Sequence, residues 1–199
     1  AAEAGRRLAQ FHNISSSFHG VPTYLDYNLP IREVCMKYMN NLEQIETMFL
    51  NQGVDRELSD CRRWWEKLIN DSPLSDLDRL PSGWIHRDYH GRNMLFSGDN
   101  MCGRFDFDEL TNGPFVCDIA FGIHMFGREY RGSWKIRPEF AHSFFGEYLN
   151  TRPVTRYEIE AIPSLLLFAF LPQAVYYINH ERDGDDVREM LIREVTVLP

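Results

Sequence analysis

With 199 residues, 44% of them hydrophobic and 14% aromatic, the chain can bury a substantial core, which excludes an intrinsically disordered protein. Its net charge of −8, from 29 acids against 21 bases, excludes a broad nucleic-acid surface, while suiting cationic substrates and ordinary solubility equally. The four cysteines (Cys35, Cys61, Cys102, Cys117) have no paired spacing and sit inside apolar patterns, so reduced core residues of a cytoplasmic protein are expected. No signal-peptide pattern is read at the start. The longest apolar run, residues 165–178, contains Pro172 and Gln173 and is too short to span a bilayer.

In chain order, residues 1–12 read as a short helix and residues 13–29 as a Ser-, Gly- and Pro-bearing loop, either functional or a plain connector. Pro30 suits the first turn of a helix, and Ile31, Val34, Cys35, Tyr38, Met39, Leu42, Ile45, Met48 and Phe49 recur along one face of it. Leu58, Cys61, Trp64, Trp65, Leu68 and Ile69 mark a second helix, followed by a proline-bounded connector over residues 72–82.

Residues 84–108 are the centre of the chain. A short apolar run, Trp84 and Ile85, ends in His86-Arg87-Asp88, and Asn93 stands five residues after Asp88. Met94, Leu95 and Phe96 form a second run, Gly98-Asp99-Asn100 a turn, and a third run ends in Asp106. The turn makes the last two runs a hairpin, so Asn93 before it and Asp106 after it belong at the same end. Period-two alternation places Asp106 and Asp108 on one face. The same stretch carries His86-x-Asp88-x-His90, a cluster of the kind that binds zinc in metallo-hydrolases, although further ligands with their own spacing would be needed.

Beyond it, Thr111-Asn112-Gly113-Pro114 reads as a turn. A helix follows through Val116, Ile119, Ala120, Ile123 and Met125 to near Gly127. Residues 128–137 are polar and basic with Tyr130 and Trp134 interleaved, either part of an acceptor pocket or a solvated loop. Residues 138–149 are amphipathic through Phe140, Phe144, Phe145 and Tyr148. Thr155 with Glu158 is a capping-box signature for the next helix, which Pro163 should end or kink. Residues 164–179 then read as a buried helix kinked at Pro172, and residues 181–186 as an acidic turn opening a last helix to Arg193.

His86-Arg87-Asp88-x-x-x-x-Asn93 followed by Asp106 resembles the catalytic loop and metal-binding acid of the protein-kinase-like phosphotransferases. The pattern is most similar to the small-molecule branch, the aminoglycoside phosphotransferase family with its choline kinase and homoserine kinase-type relatives. That branch reads His-Gly-Asp-x-His-x-x-Asn, then Asp, then Gly-x-x-x-Asp-Leu-Ala. This chain has His90 in the second His position and Gly113-Pro114-Phe115-Val116-Cys117-Asp118-Ile119-Ala120 in the last, with Arg87 replacing the usual Gly. Only 11 residues separate Asp106 from Asp118 and no Ala-Pro-Glu follows, which leaves no room for a protein kinase's activation loop. Residues 1–12 resemble the family's Gly-x-x-Leu-Ala-x-Leu-His helix, which opens its C-terminal lobe.

The resemblance implies transfer of the γ-phosphoryl group of ATP or GTP to a hydroxyl of a small molecule. Asp88 would accept or position the hydroxyl proton, and Asn93 and Asp106 would hold Mg²⁺ and with it the nucleotide phosphates. Asp108 is either a further acidic ligand or a loop carboxylate. His90 either contacts the transferring phosphate or hydrogen-bonds backbone. His86 and Asp118 would be structural supports, the imidazole bracing the loop against the Asp106 segment and the carboxylate accepting backbone N–H bonds.

The fold class expected is α+β, mainly α: a protein-kinase-like C-terminal lobe filling residues 1–199. A small β-hairpin carries the catalytic loop, with a catalytic core at 84–120 and a helical substrate subdomain from 30–70 and 138–193. The family's N-terminal β lobe supplies a Gly-rich loop and a strand lysine. Here Lys37, Lys67 and Lys135 lie outside any such context, and Gly98-x-x-x-x-Gly103 is followed by Arg104-Phe105, so it is a hairpin turn and not a phosphate loop. The N-terminal lobe is therefore expected to be absent from this chain, leaving it nearly inactive alone. A non-catalytic kinase-like scaffold is the alternative from another class. The acceptor itself cannot be chosen from fold.

Overall fold

The structure is a computed structural model that describes residues 1–18, 42–49, 53–70, 79–130, 135–170, 186–189 and 192. The chain divides into two units, residues 1–28 with 76–166 and residues 29–75 with 167–199. The described elements are mainly helical, with two small antiparallel sheets, an α+β architecture.

In the first unit, α1 (Ala2–Ser15) buries Ala4, Gly5, Leu8, Ala9 and His12 along one face. β1 (Ser82–Ile85) leads into the polar loop, which closes in a single 3-10 turn, Gly91–Asn93. β2 (Met94–Ser97) and β3 (Asn100–Arg104) form a hairpin with a bulge between Leu95 and Phe96. Gly98 supplies its tight turn at φ 59°.

β4 (Thr111–Pro114) does not pair with the hairpin. It returns to β1, with Ile85 opposite Thr111 and Ser82 opposite Pro114. The turn expected at these four residues is thus a strand. Thr111 is β-branched and buried, and Gly113 has no side chain to collide with Ile85, whose Cδ1 lies 3.0 Å from where a Cβ would sit. Pro114, lacking an N–H, ends the ladder at an edge.

α4 (Phe115–Gly127) and α5 (Pro138–Thr151) complete the core. Phe144 of α5 is its hub. Its ring stacks on Phe126 at 5.2 Å between centroids, Gly122 makes room for it, and α1 approaches so closely that a Cβ on Gly5 would stand 1.9 Å from the Phe144 carbonyl oxygen.

α6 (Arg156–Phe170) opens with the expected capping box. The Glu158 N–H donates to Thr155 Oγ1 at 3.2 Å, and the Thr155 N–H donates to Glu158 Oε2 at 2.7 Å. Pro163 lies inside this helix, so of the two outcomes expected, an end or a kink, the end does not occur. The ring removes one donor and the helix continues on its apolar face, where Ala161 and Leu165 are buried.

In the second unit, α2 (Leu42–Met48) and α3 (Asp55–Asn70) are described, with Phe49, Val54, Leu58 and Leu68 buried. Arg62 of α3 pairs with Glu46 of α2 at 2.6 Å. Residues 19–41, the Pro172 kink, residues 181–185 and most of the last helix lie outside the described residues, as does Cys35. Cys102 is exposed on β3, a correction to its reading as a core residue, because its strand has a solvent face.

Candidate active site

The loop between β1 and β2 is fixed from below by one buried carboxylate. Asp118, in the first turn of α4, accepts the backbone N–H of His86 on Oδ2 and that of Arg87 on Oδ1, each at 2.7 Å. A third donor, His12 Nε2 of α1, reaches Oδ2 at 3.1 Å. Burial opposes ionisation of Asp118, but these donors outweigh it and hold the carboxyl below its ordinary range. Burial also lowers His12, so the pair is an ionised Asp118 and a neutral His12. Gripped in this way, Arg87 takes a left-handed backbone at φ 65°. Arg87 occupies the position where the resembling pattern has Gly, the residue for which that conformation is free of strain.

The next residue is Asp88. The Asn93 Nδ2 donates both to the Asp88 backbone carbonyl, at 3.0 Å, and to its Oδ2, at 2.8 Å. His90 Nε2 stands 3.4 Å from the same Oδ2. The carboxylate is half-buried, whereas the carboxamide is buried. Asp88, His90 and Asn93 are therefore brought together.

The far side of the site follows from the hairpin register. Met94 faces Arg104, and the ladder extends by one bond, from the Phe105 N–H to the Asn93 carbonyl at 3.1 Å. Asp106 is the next residue, exposed and left-handed at φ 65°. The strand stops at Arg104, so alternation does not run through Asp106 and Asp108. Asp108 lies instead in an exposed turn closed by the Leu110 N–H on the Phe107 carbonyl. His86 faces this segment, with Nε2 3.3 Å from the Phe105 carbonyl oxygen and its ring 4.9 Å from that of Phe107. Burial lowers its pKa, favouring a neutral ring.

Spacing alone did not reveal the groups behind Asp118. The other nitrogen of His12, Nδ1, lies 2.7 Å from the Tyr148 hydroxyl, which also receives Arg152 Nη1 at 3.3 Å. Arg152 in turn pairs with Glu158 at 3.4 Å. The available signal was a histidine on the buried face of α1 and a tyrosine on the buried face of α5, positions that need hydrogen-bond partners.

Asn93 and Asp106 both carry oxygen atoms of the kind a hard divalent cation takes. Both hydrogen bonds of the Asn93 carboxamide use Nδ2 and not Oδ1, and Asp106, exposed, follows Phe105, whose N–H donates to the Asn93 carbonyl. Two protein oxygens are the donor set Mg²⁺ takes when water and phosphate complete its shell. Among the described residues no group of three or more His, Cys, Asp or Glu is placed to hold a metal, so His86, Asp88 and His90 do not form a zinc site. No helix among the described residues is long and apolar enough to cross a membrane.

A model of the phosphotransferase enzyme family matches residues 1–157. The homoserine kinase of Parvibaculum lavamentivorans is 29% identical over 185 residues, 89% of this chain and 52% of the relative. The chain thus spans about half the length of that curated relative. The aminoglycoside phosphotransferase of Alicyclobacillus acidocaldarius superposes with a TM-score of 0.67 at 19% identity, covering 98% of this chain and 60% of that one. The streptomycin–ATP ternary complex of APH(2")-IIa gives 0.60 at 19%, with 98% and 60% covered. This likeness identifies the fold class as the expected one, mainly helical and shared with the kinase-like aminoglycoside phosphotransferases.

Proposed function

We infer, from the site geometry and because the chain belongs to the phosphotransferase enzyme family, that it carries the catalytic loop of a small-molecule kinase. The reaction proposed is transfer of the γ-phosphoryl group of ATP to a hydroxyl, in the cytoplasm. The observation that carries it is the pairing of Asp88 with Asn93 one ladder bond away from the residue preceding Asp106.

In this reading Asp88 orients the acceptor hydroxyl and takes its proton as the oxygen attacks phosphorus. Asn93 holds one carboxylate oxygen, Oδ2, leaving Oδ1 to face the acceptor. His90, beside the same oxygen, steadies the carboxylate and reaches toward the transferring group. Asn93 and Asp106 would hold Mg²⁺, and Asp108, in its exposed turn, would be either a further ligand or a loop carboxylate. Such an ion offsets charge on the phosphate oxygens when bound. Asp118 and His86 keep the two halves of the site in register from the protein side.

A short amino alcohol of the homoserine type is the first acceptor to test. The homoserine kinase match extends over 89% of the chain at higher identity than the aminoglycoside phosphotransferases reach. ADP release is to be measured with Mg-ATP and, separately, Mg-GTP, against homoserine, choline and aminoglycosides. Both the 199-residue chain and the longest polypeptide its reading frame encodes are assayed. Acceptor-dependent release is expected from the longer polypeptide, and its absence with every acceptor would remove the kinase reading.

A further inference from the structure

α5 carries a fully buried hydroxyl that lies three hydrogen bonds from the catalytic loop. Tyr148, His12, Asp118 and Glu158 are all 0% exposed, and Arg152 is 9% exposed. Polar groups this deep are retained only when each is satisfied, and here they are satisfied in series. Glu158 pairs with Arg152, Arg152 donates to the Tyr148 oxygen, and Tyr148 lies 2.7 Å from His12 Nδ1. His12 Nε2 meets Asp118, and Asp118 holds the N–H groups of His86 and Arg87.

The direction of this series is fixed by its ends. A guanidinium only donates and an ionised carboxylate only accepts, so Arg152 donates to the Tyr148 oxygen, Asp118 receives from His12 Nε2, and the Tyr148 proton points to the Nδ1 lone pair of the neutral ring. His12 must then carry its proton on Nε2, the nitrogen facing the carboxylate. In the opposite tautomer a ring lone pair would face Asp118 Oδ2, and one of the carboxylate's three donors would be lost. The ring has little freedom to turn away, packed 4.5 Å from Phe115 between centroids, with the Arg152 guanidinium over the same phenyl ring at 4.4 Å.

We propose that Tyr148 is a positioning residue for the phosphoryl-transfer site. By donating to Nδ1 it holds the His12 ring in place for the Nε2 bond to Asp118, which holds residues 86 and 87, and so sets the backbone from which Asp88 projects. The activity part of this proposal rests on the kinase reading, whereas the tautomer and loop parts do not.

Histidine ring-nitrogen NMR on the 199-residue chain reads the tautomer directly. A proton on His12 Nε2 is expected in the unsubstituted protein, and a proton on Nδ1 overturns the proposal whether or not any variant folds. In Tyr148→Phe the His12 Nδ1 resonance should shift as it loses its donor, and amide exchange at His86 and Arg87 should quicken about tenfold or more. Unchanged exchange at those two amides overturns it. In the longer polypeptide, Tyr148→Phe should lower kcat about tenfold with the nucleotide KM within about twofold, and a change confined to KM overturns the positioning role. Absence of transfer by the unsubstituted protein would sink the kinase reading alone, leaving ring and exchange data to decide this one.

Discussion

Arg87 and Asp106 share a backbone conformation that no other described non-glycine residue adopts, both at φ 65°, and they stand on the two segments that meet at the candidate site. Left-handed backbone at a residue with a Cβ costs about 1 kcal/mol and persists where surrounding contacts over-determine it. At Arg87 those contacts are the two N–H groups gripped by Asp118.

Arg87→Gly should therefore be better tolerated than a β-branched residue at the same position. The relief of left-handed strain and the greater freedom of glycine in the unfolded chain oppose each other at roughly 1 kcal/mol each. Arg87→Val, β-branched, should lose about 2 kcal/mol or more. Urea unfolding of both variants tests this, and a glycine variant less stable than the valine one would refute the account.

Asp88→Asn should lower kcat by roughly a hundredfold or more in the polypeptide that transfers phosphate, with nucleotide affinity little altered. Asn93→Ala should also be costly, since it frees the Asp88 carboxylate and removes a ligand oxygen. Because the two residues touch, the double variant should lose far less than the product of the single losses. Independent, multiplicative losses would argue against a shared role.

Three buried histidines give a shared acid sensitivity. His124 is pulled down to about 4 by burial and the neighbouring Arg128 charge, and burial likewise lowers His12 and His86. Between the ordinary histidine value of 6.5 and about 4, the unfolded chain binds protons that the folded chain refuses. Stability is therefore full above that window and falls as pH drops through it. His124 alone should contribute on the order of 2–3 kcal/mol to the fall. Stepped-pH urea unfolding should show a shallower slope in His124→Gln. A slope identical to that of the unsubstituted chain would show that His124 titrates normally.

Gly5→Ala should be among the most damaging small substitutions in α1. The added methyl would meet the Phe144 carbonyl, which is backbone and cannot swing aside, so the α1–α5 approach must widen, at about 3 kcal/mol or more. Gly122→Ala meets only the tip of the Phe144 ring and should cost less. Thermal unfolding of the two variants checks the order, and equal Tm values would contradict it.

The hairpin was legible in the sequence because Gly98-Asp99-Asn100 punctuates two short apolar runs, and the α6 start because Thr155 and Glu158 carry a local signature. The resemblance of His86-Arg87-Asp88-x-x-x-x-Asn93 and Asp106 to a kinase-like catalytic loop was enough to nominate Asp88, Asn93 and Asp106. What could not be read was anything set by distant partners. β4 looked like a turn because its pairing with β1 lies across the whole loop and hairpin. Pro163 left an end and a kink both open, because local propensity carries no knowledge of the buried face that continues the helix. His12 and Tyr148 each fell on a legible helix pattern, but their meeting with one another and with Arg152 is a matter of packing and not of spacing.

The antiparallel match of Ile85 with Thr111 carries a consequence for how the molecule assembles. Those two strands cannot zip until everything from His86 to Leu110 has been drawn into a closed excursion, and long closures form late. The Met94–Ser97 and Asn100–Arg104 pair is local and can close early, shortening the contour still to be joined. Slowing that early step at Gly98 should delay arrival at the native state more than it weakens it, so the tip of the ribbon acts as a timing element for the site at its base.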